Sequence, residues 1–122
     1  MEMTAVTTQR VLPASTLKGE DVVNAKKEKL GTIEDLVVDL DKGYIAYAVL
    51  SFGGFLGMGD KLFAIPWGAL KVDTHEKRLV LDVKKEVLER APGFNKDSWP
   101  DMADQAWGSK IYSYYGTKPI WK

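Results

Sequence analysis

Four glycines lie within seven residues, from Gly53 to Gly59, a density that is typical of loops that hold phosphate groups. A P-loop needs two glycines five positions apart, followed by a lysine and a serine or threonine, between a strand and a helix. Gly54 and Gly59 have this separation, but Asp60 and Lys61 follow them, and an acidic residue at that place repels phosphate. The residues after the loop predict another strand, which offers an anion no helix N-terminus. We therefore interpret the stretch as a turn between two strands.

The other residues that could do chemistry are His75 and three aspartates, Asp35, Asp39 and Asp41. Paired carboxylates can act as acid and base or bind calcium, but the segment around Asp39 is too short for an EF-hand loop. The chain has no cysteine, and a single histidine cannot build the usual metal sites. Solvent-facing carboxylates and a histidine in a polar turn are the simpler interpretation. We therefore expect no catalytic residue, no metal site and no cofactor, and we do not expect an enzyme.

The composition of the chain narrows the classes of partner. Its 122 residues suit one domain, and its 17 basic and 17 acidic side chains give a formal net charge of zero. Nucleic-acid-binding proteins usually carry a basic excess, so nucleic acid is not the expected partner. No stretch is long enough to span a bilayer, and the first residues lack the apolar core of a secretion signal. These features predict a cytoplasmic protein.

The elements that must position these residues are short apolar runs separated by glycine, proline and charged pairs, a spacing that is typical of strands joined by tight turns. In the run from Leu30 to Leu40, Ile33 and Leu36 have opposite parity. Either both faces of this strand are covered or a β-bulge near Glu34 and Asp35 shifts the register, and we favour the bulge. The run from Tyr44 to Phe52 is apolar on both parities, so neither of its faces should be fully exposed. We expect these buried residues: Val22, Ile33, Val38, Val49, Ile65, Leu79 and Leu81.

Six such runs followed by a helical period predict an all-β protein, a small six-stranded antiparallel β-barrel with a C-terminal helical appendix. Residues 1–14 are expected to form a flexible arm, and residues 15–94 the barrel. Residues 95–122 are expected to form a helix and tail that pack on the barrel or on a partner. A cap at Ser98 and a stop at Gly116 would bound the helix.

The order of several short motifs resembles the PRC-barrel family, in its small stand-alone bacterial type. The combination of the glycine-rich stretch with a Pro-Trp pair is the most specific part. The matching residues are Leu17-Lys18-Gly19 with Val22, Leu30 to Asp35, Asp39 with Gly43, Ala48 to Ser51, Gly53 to Gly57, Ile65-Pro66-Trp67 with Leu70, and Ala91 to Phe94. The family includes the cytoplasmic part of the reaction-centre H subunit and a domain of a ribosome-maturation factor. The resemblance implies a small barrel that binds proteins and has no catalytic residues.

Three functional hypotheses follow from the residues and this resemblance. The leading hypothesis is a non-catalytic protein-interaction or scaffold module. The alternative is an adaptor that binds RNA or takes part in ribosome assembly, suggested by the ribosomal relative and the C-terminal aromatic residues. A small-ligand carrier or an enzyme is less favoured, because side chains fill the interior of a barrel with so few strands.

Large apolar side chains on a surface loop need a cover, which could be the chain's own helix or a second copy of the chain. A protein partner is therefore expected, and we predict a homodimer, because two-fold pairing hides a self-complementary patch. The candidate partner or dimer contacts are Phe52, Phe55, Leu56, Met58, Trp99 and Trp107.

Overall fold

A computed structural model describes residues 12–53, 60–73, 76 and 78–117. The predicted N-terminal arm, residues 1–14, lies almost entirely outside these ranges. Two single-turn 3₁₀ segments are present, at Ala14–Thr16 and at Trp67–Ala69. The strands and helices are β1 (Asp21–Val23), β2 (Lys29–Asp39), β3 (Tyr44–Gly53), β4 (Asp60–Pro66), β5 (Leu70–Asp73), β6 (Arg78–Leu81), α1 (Lys85–Glu89), β7 (Phe94–Asn95) and α2 (Gln105–Tyr114).

The seven strands form one sheet in the order β5-β6-β1-β2-β3-β4-β7. All neighbours are antiparallel except β1 and β6, which run parallel with Val22 opposite Leu79. The all-β class with a C-terminal helix is therefore confirmed. The six-stranded, purely antiparallel, closed barrel is wrong in three respects: in the described residues a seventh strand is present, one pair is parallel, and the end strands β5 and β7 are not hydrogen-bonded to each other.

The connection between β4 and β5 explains the parallel pair. A meander reverses direction at every turn, but the sheet pairings make β4 and β5 run in the same direction, so the turn at Trp67–Ala69 does not reverse the chain. From Pro66 to Leu70 the backbone can span at most about 14 Å. In a flat sheet these two strands would be at least about 24 Å apart. The sheet is therefore strongly curled, although it stays open.

Irregularities in the β2–β3 ladder decide which side chains face inward. The first lies between Ile33 and Asp35 and confirms the predicted bulge. The second was not predicted, and there Ala46 is the extra residue, so that Val38 comes to lie opposite Ile45. The expectation that Val38 is buried is wrong, because 50% of this residue is exposed beyond the second irregularity. The other six expected core residues are buried.

The curled sheet has a core on each face. The inner core takes side chains from β1 to β6 and from α1, with Phe63 and Leu88 fully buried in it. On the outer face, Tyr47 and Ala64 of β3 and β4 pack against Ile111 and Tyr112 of α2. This cover explains why β3 is apolar on both parities.

The boundaries of α2 differ from the prediction at one end only. The helix starts after Asp104, whose carboxylate accepts a hydrogen bond from the Ala106 N–H at 2.9 Å. The predicted cap at Ser98 is wrong, because Pro100 disfavours helical geometry in the residue before it. The predicted stop is confirmed: Gly116 has φ +72°, and the Thr117 N–H donates to the Tyr112 carbonyl, as in a Schellman motif. No helix in the described residues is long and apolar enough to cross a membrane.

Candidate functional site

The glycine-rich stretch joins two neighbouring antiparallel strands. β3 and β4 stay paired as far as Gly53 and Asp60, and β4 follows the stretch directly. A P-loop would require a helix at this point, so the interpretation as a strand connection is confirmed. Three of the candidate contact residues, Phe55, Leu56 and Met58, lie outside the described residues, and so does His75.

Two of the aspartates considered for acid–base or metal chemistry, Asp35 and Asp39, hold a bulge and a turn instead. The Asp35 carboxylate accepts a hydrogen bond from the Leu36 N–H at 2.8 Å, beside the first bulge. The Asp39 carboxylate accepts from the N–H groups of Asp41 and Lys42, at 3.0 and 3.1 Å, and so fixes the turn between β2 and β3. In the ranges that the structure describes, no three acidic or histidine side chains converge on a point where a metal ion could sit.

The three described aromatic candidates, Phe52, Trp99 and Trp107, differ in how much surface they offer. Phe52 packs edge-to-face on Phe63 of the inner core, with ring centroids 5.9 Å apart, and Trp107 packs in the same way on Tyr47 at 5.4 Å. Both are half-buried. Trp99 is 42% exposed, although one edge meets Phe94. Of these three, only Trp99 offers a large exposed surface to a partner.

The turn between β2 and β3 exposes more apolar surface than any of these candidates. Leu40 is 89% exposed, and Val38 and Tyr44 on either side of it are 50% and 36% exposed. We call Val38–Tyr44 the apolar turn. The sequence pattern does not reveal this turn, because Val38 and Leu40 share the parity of Leu36, and this parity faces inward only until the second irregularity.

A groove of about 680 Å³ separates the apolar turn from the loop that precedes α2. Its apolar lining comes from β2, β3 and the loop before α2, and charged groups lie around it. The side chains that matter most for its chemistry are Val37, Asp39, Asp41, Tyr47, Met102 and Asp104.

Tyr47 brings an unusual group to this groove. The residue is only 1% exposed, and its hydroxyl has no hydrogen-bond partner among the described residues. Burial, together with the nearby Tyr112, raises the pKa of the Tyr47 phenol well above its usual range, so the hydroxyl stays protonated. The neighbouring Tyr112 hydroxyl, in contrast, donates to the Ala46 carbonyl at 3.2 Å. Tyr47 therefore lines the groove and carries a buried hydroxyl that has no partner among the described residues.

Comparison with known proteins shows the family to which the chain belongs. The family model for the PRC-barrel domain matches residues 10–88, which is more than half of the chain and includes β1 to β6. The chain belongs to the PRC-barrel family. The apolar turn lies within the part of the chain that matches, whereas the loop before α2 and α2 itself lie beyond it.

A solved structure from Pseudomonas aeruginosa, described as a 16S ribosomal RNA processing protein, RimM, is similar to this PRC-barrel chain at 19% identity, with a TM-score of 0.41. The match covers 62% of this chain and 45% of RimM, so the chain spans less than half of that protein. At this level the likeness carries no functional argument. No curated protein sequence matches the chain.

A second concave region of about 730 Å³ in this PRC-barrel protein lies between the β1–β2 turn and the start of α1. Its lining mixes Lys26 and Lys84 with Glu28, Asp82 and Glu86, so acidic side chains outnumber basic ones by only one. The buried Asn24 is fully engaged, because its amide donates to Glu28 and its oxygen accepts two backbone N–H groups. The second region therefore has no free buried polar group comparable with the Tyr47 hydroxyl.

Proposed function

We propose that this PRC-barrel chain is a non-catalytic protein-binding module and that the apolar turn is part of its contact surface. The observation that carries the proposal is the exposure of Val38, Leu40 and Tyr44 within seven consecutive residues. Five large hydrophobic residues are exposed in the described part of the chain, and these are three of them. Contiguous exposed apolar side chains with a polar surround are typical of interaction sites.

The way the turn is held supports a function in binding. The Asp39 carboxylate fixes the backbone of the turn through two hydrogen bonds, so Leu40 is presented on an ordered scaffold. An ordered contact surface loses less conformational entropy when a partner binds. Membership of the family agrees with this function, since the resemblance of the motifs implies an interaction module.

The RNA-binding alternative has weaker support. The chain carries no excess of basic residues, and three carboxylates but only one lysine line the groove beside the apolar turn. Phosphate groups would be repelled there, and phosphate contacts supply most of the affinity for nucleic acid.

The division of the chain into a barrel that ends at residue 94 and a C-terminal segment that begins at residue 95 remains a prediction, and β7 includes both residues.

Site-specific photo-crosslinking in the producing cells tests the proposed function. A photoreactive amino acid replaces Leu40, whose 89% exposure makes the change harmless to folding. The matched control carries the same group at the exposed position Glu89 on α1. We expect discrete crosslinked proteins from position 40 that are missing from position 89. Crosslinks at position 40 that do not exceed those at position 89 would contradict the proposed function.

A further inference from the structure

We propose that the groove between the apolar turn and the loop before α2 binds a peptide segment that carries both apolar and basic side chains. This inference rests on the proposed function and adds to it the site and the chemical class of the partner. The apolar lining, the charge of the groove and the unused hydroxyl of Tyr47 support it together.

The apolar lining comes from three separate parts of the fold. Val37 and Val38 belong to β2, Ala46 and Tyr47 to β3, and Met102 to the loop before α2. Side chains from elements so far apart in sequence meet only in the folded chain, and the volume of about 680 Å³ is in the range of ligand sites. A methionine in such a wall adapts its shape to different apolar side chains. The lining therefore suits the apolar part of a peptide.

The charges around the groove favour a partner peptide that carries basic residues. Asp39, Asp41 and Asp104 line it together with a single cation, Lys42. The carboxylates of Asp39 and Asp104 are held in place by the hydrogen bonds that they accept from backbone N–H groups. Asp41 forms no ion pair with any described residue, so its carboxylate is free to meet a lysine or arginine.

The same charges decide against a second copy of the groove as the occupant. A two-fold interface through this face would bring two sets of three carboxylates together, and like charges in such an interface are strongly unfavourable. A partner segment with lysine or arginine avoids this repulsion. The partner chemistry is therefore basic and apolar, and the surface is not self-complementary.

Tyr47 lines the groove, and its buried hydroxyl becomes available to a peptide when the lining adjusts on binding. Its hydroxyl is buried without a partner in the described part of the chain, whereas most buried polar side-chain atoms in folded proteins are hydrogen-bonded. A peptide that displaces the side chains covering this hydroxyl offers backbone carbonyl groups that can accept its hydrogen bond. Tyr47 is thus expected to position the peptide backbone, while the aspartates meet its basic side chains.

Titration of the ¹⁵N-labelled full-length chain with three decapeptides tests the inference. The first probe is a glycine–serine decapeptide with two leucines and two lysines. The second has glutamates in place of the lysines, and the third has serines in place of the leucines. We expect only the first probe to shift the backbone amide signals of residues 37–42 and 102–105, and we expect this binding to weaken as salt is added.

Two pairs of variants test the groups named above with the first probe. Tyr47→Phe should weaken its binding about threefold to tenfold, which corresponds to one neutral hydrogen bond. The control Tyr115→Phe, which removes another buried hydroxyl without a partner among the described residues, should leave the affinity unchanged. Asp41→Asn should weaken binding by up to about fivefold at low salt, whereas Asp82→Asn, which lies outside the lining of the groove, should not.

Two outcomes would overturn the inference. One is a first probe that leaves the groove signals unshifted at millimolar concentration or shifts them no more than the glutamate probe does. The other is a Tyr47→Phe variant that binds as tightly as the wild-type chain. Either result would leave the protein-binding function standing if crosslinks at position 40 persist, so failure of the groove and failure of the function can be told apart.

Discussion

At the scale of single residues, Gly31 in β2 shows how closely two strands approach. A Cβ atom at this position would lie 2.1 Å from the Ser51 carbonyl oxygen and 3.0 Å from a methyl group of Leu50. Because the first of these atoms belongs to the backbone of β3, a side-chain rotation cannot relieve the clash. Gly31 is therefore required by the space between β2 and β3.

We expect Gly31→Ala to lower the free energy of unfolding by about 1–3 kcal/mol or more, the range seen for overpacked cores. Urea unfolding measures the loss. Gly68→Ala is the matched control, because a Cβ there meets no atom within 4 Å, and its effect should stay within about 0.5 kcal/mol. Equal stabilities of the two variants would show that the strands separate easily at Gly31.

Val38 shows where residue-level prediction fails. The bulge at Glu34 is visible in the sequence because Ile33 and Leu36 are apolar on opposite parities. The second irregularity inserts Ala46 into β3, and β3 is apolar on both parities, so an extra residue leaves no trace in its pattern. The parity of Val38 therefore predicts burial, whereas the folded chain exposes it in the apolar turn.

At the scale of elements, α2 gives the outer face of the sheet its cover. Ile111 and Tyr112 are each 1% exposed, and they pack against Tyr47 and Ala64. The helical spacing of the C-terminal apolar residues predicts such a face, although it does not reveal the face's target. The groove could not be predicted, since residues 37–47 and 102–105 meet only when α2 has docked.

We expect Ile111→Ala to lower the free energy of unfolding by about 2–5 kcal/mol, because it leaves a cavity between α2 and β4. Ser109→Ala changes an exposed position of the same helix and should have an effect below about 0.5 kcal/mol. Both values come from urea unfolding followed by far-ultraviolet circular dichroism. A loss below about 1 kcal/mol for Ile111→Ala would mean that the cover contributes little to the stability of the sheet.

At the scale of the whole molecule, three tyrosines with desolvated phenol groups link stability to pH. Burial is the main cause that raises the phenol pKa of Tyr47, Tyr112 and Tyr115, in the case of Tyr112 to about 12 from an ordinary 10.0. In the unfolded chain these phenols ionise at lower pH than in the folded chain, so above pH 10 the unfolded state binds fewer protons. The stability that the three phenols contribute is complete below pH 10 and is lost as the pH rises above it.

We therefore expect the urea midpoint of unfolding to fall steadily between pH 9.5 and 11.5. Tyr112 alone should contribute on the order of 2 kcal/mol across its shift. Tyr112→Phe removes this contribution, so its midpoint should fall less steeply than that of the wild-type chain over the same range. Parallel pH profiles for the two proteins would disprove a contribution from Tyr112.

In the folded chain, fewer apolar residues need the cover of a second copy than the sequence suggests. α2 of the same chain covers the outer face of β3, so that face no longer requires a partner. The remaining argument rests on Phe55, Leu56 and Met58, which lie outside the described residues. We expect light scattering at micromolar concentration to give twice the chain mass of 13.6 kDa, and the combined change Phe55→Ser and Leu56→Ser to give the single mass. A wild-type mass of 13.6 kDa would refute the homodimer.

The parallel pairing of β1 with β6 means that β1 must wait during synthesis for one of its two partner strands. Val22 pairs with Leu79, which is synthesised 57 positions later. At about 5–20 residues per second, roughly 3–11 seconds separate the appearance of the two strands. During that interval β1 can pair only with β2, and the other edge of β1 is an open template for a neighbouring nascent chain. Slower translation between these strands would therefore extend the period in which the protein can aggregate.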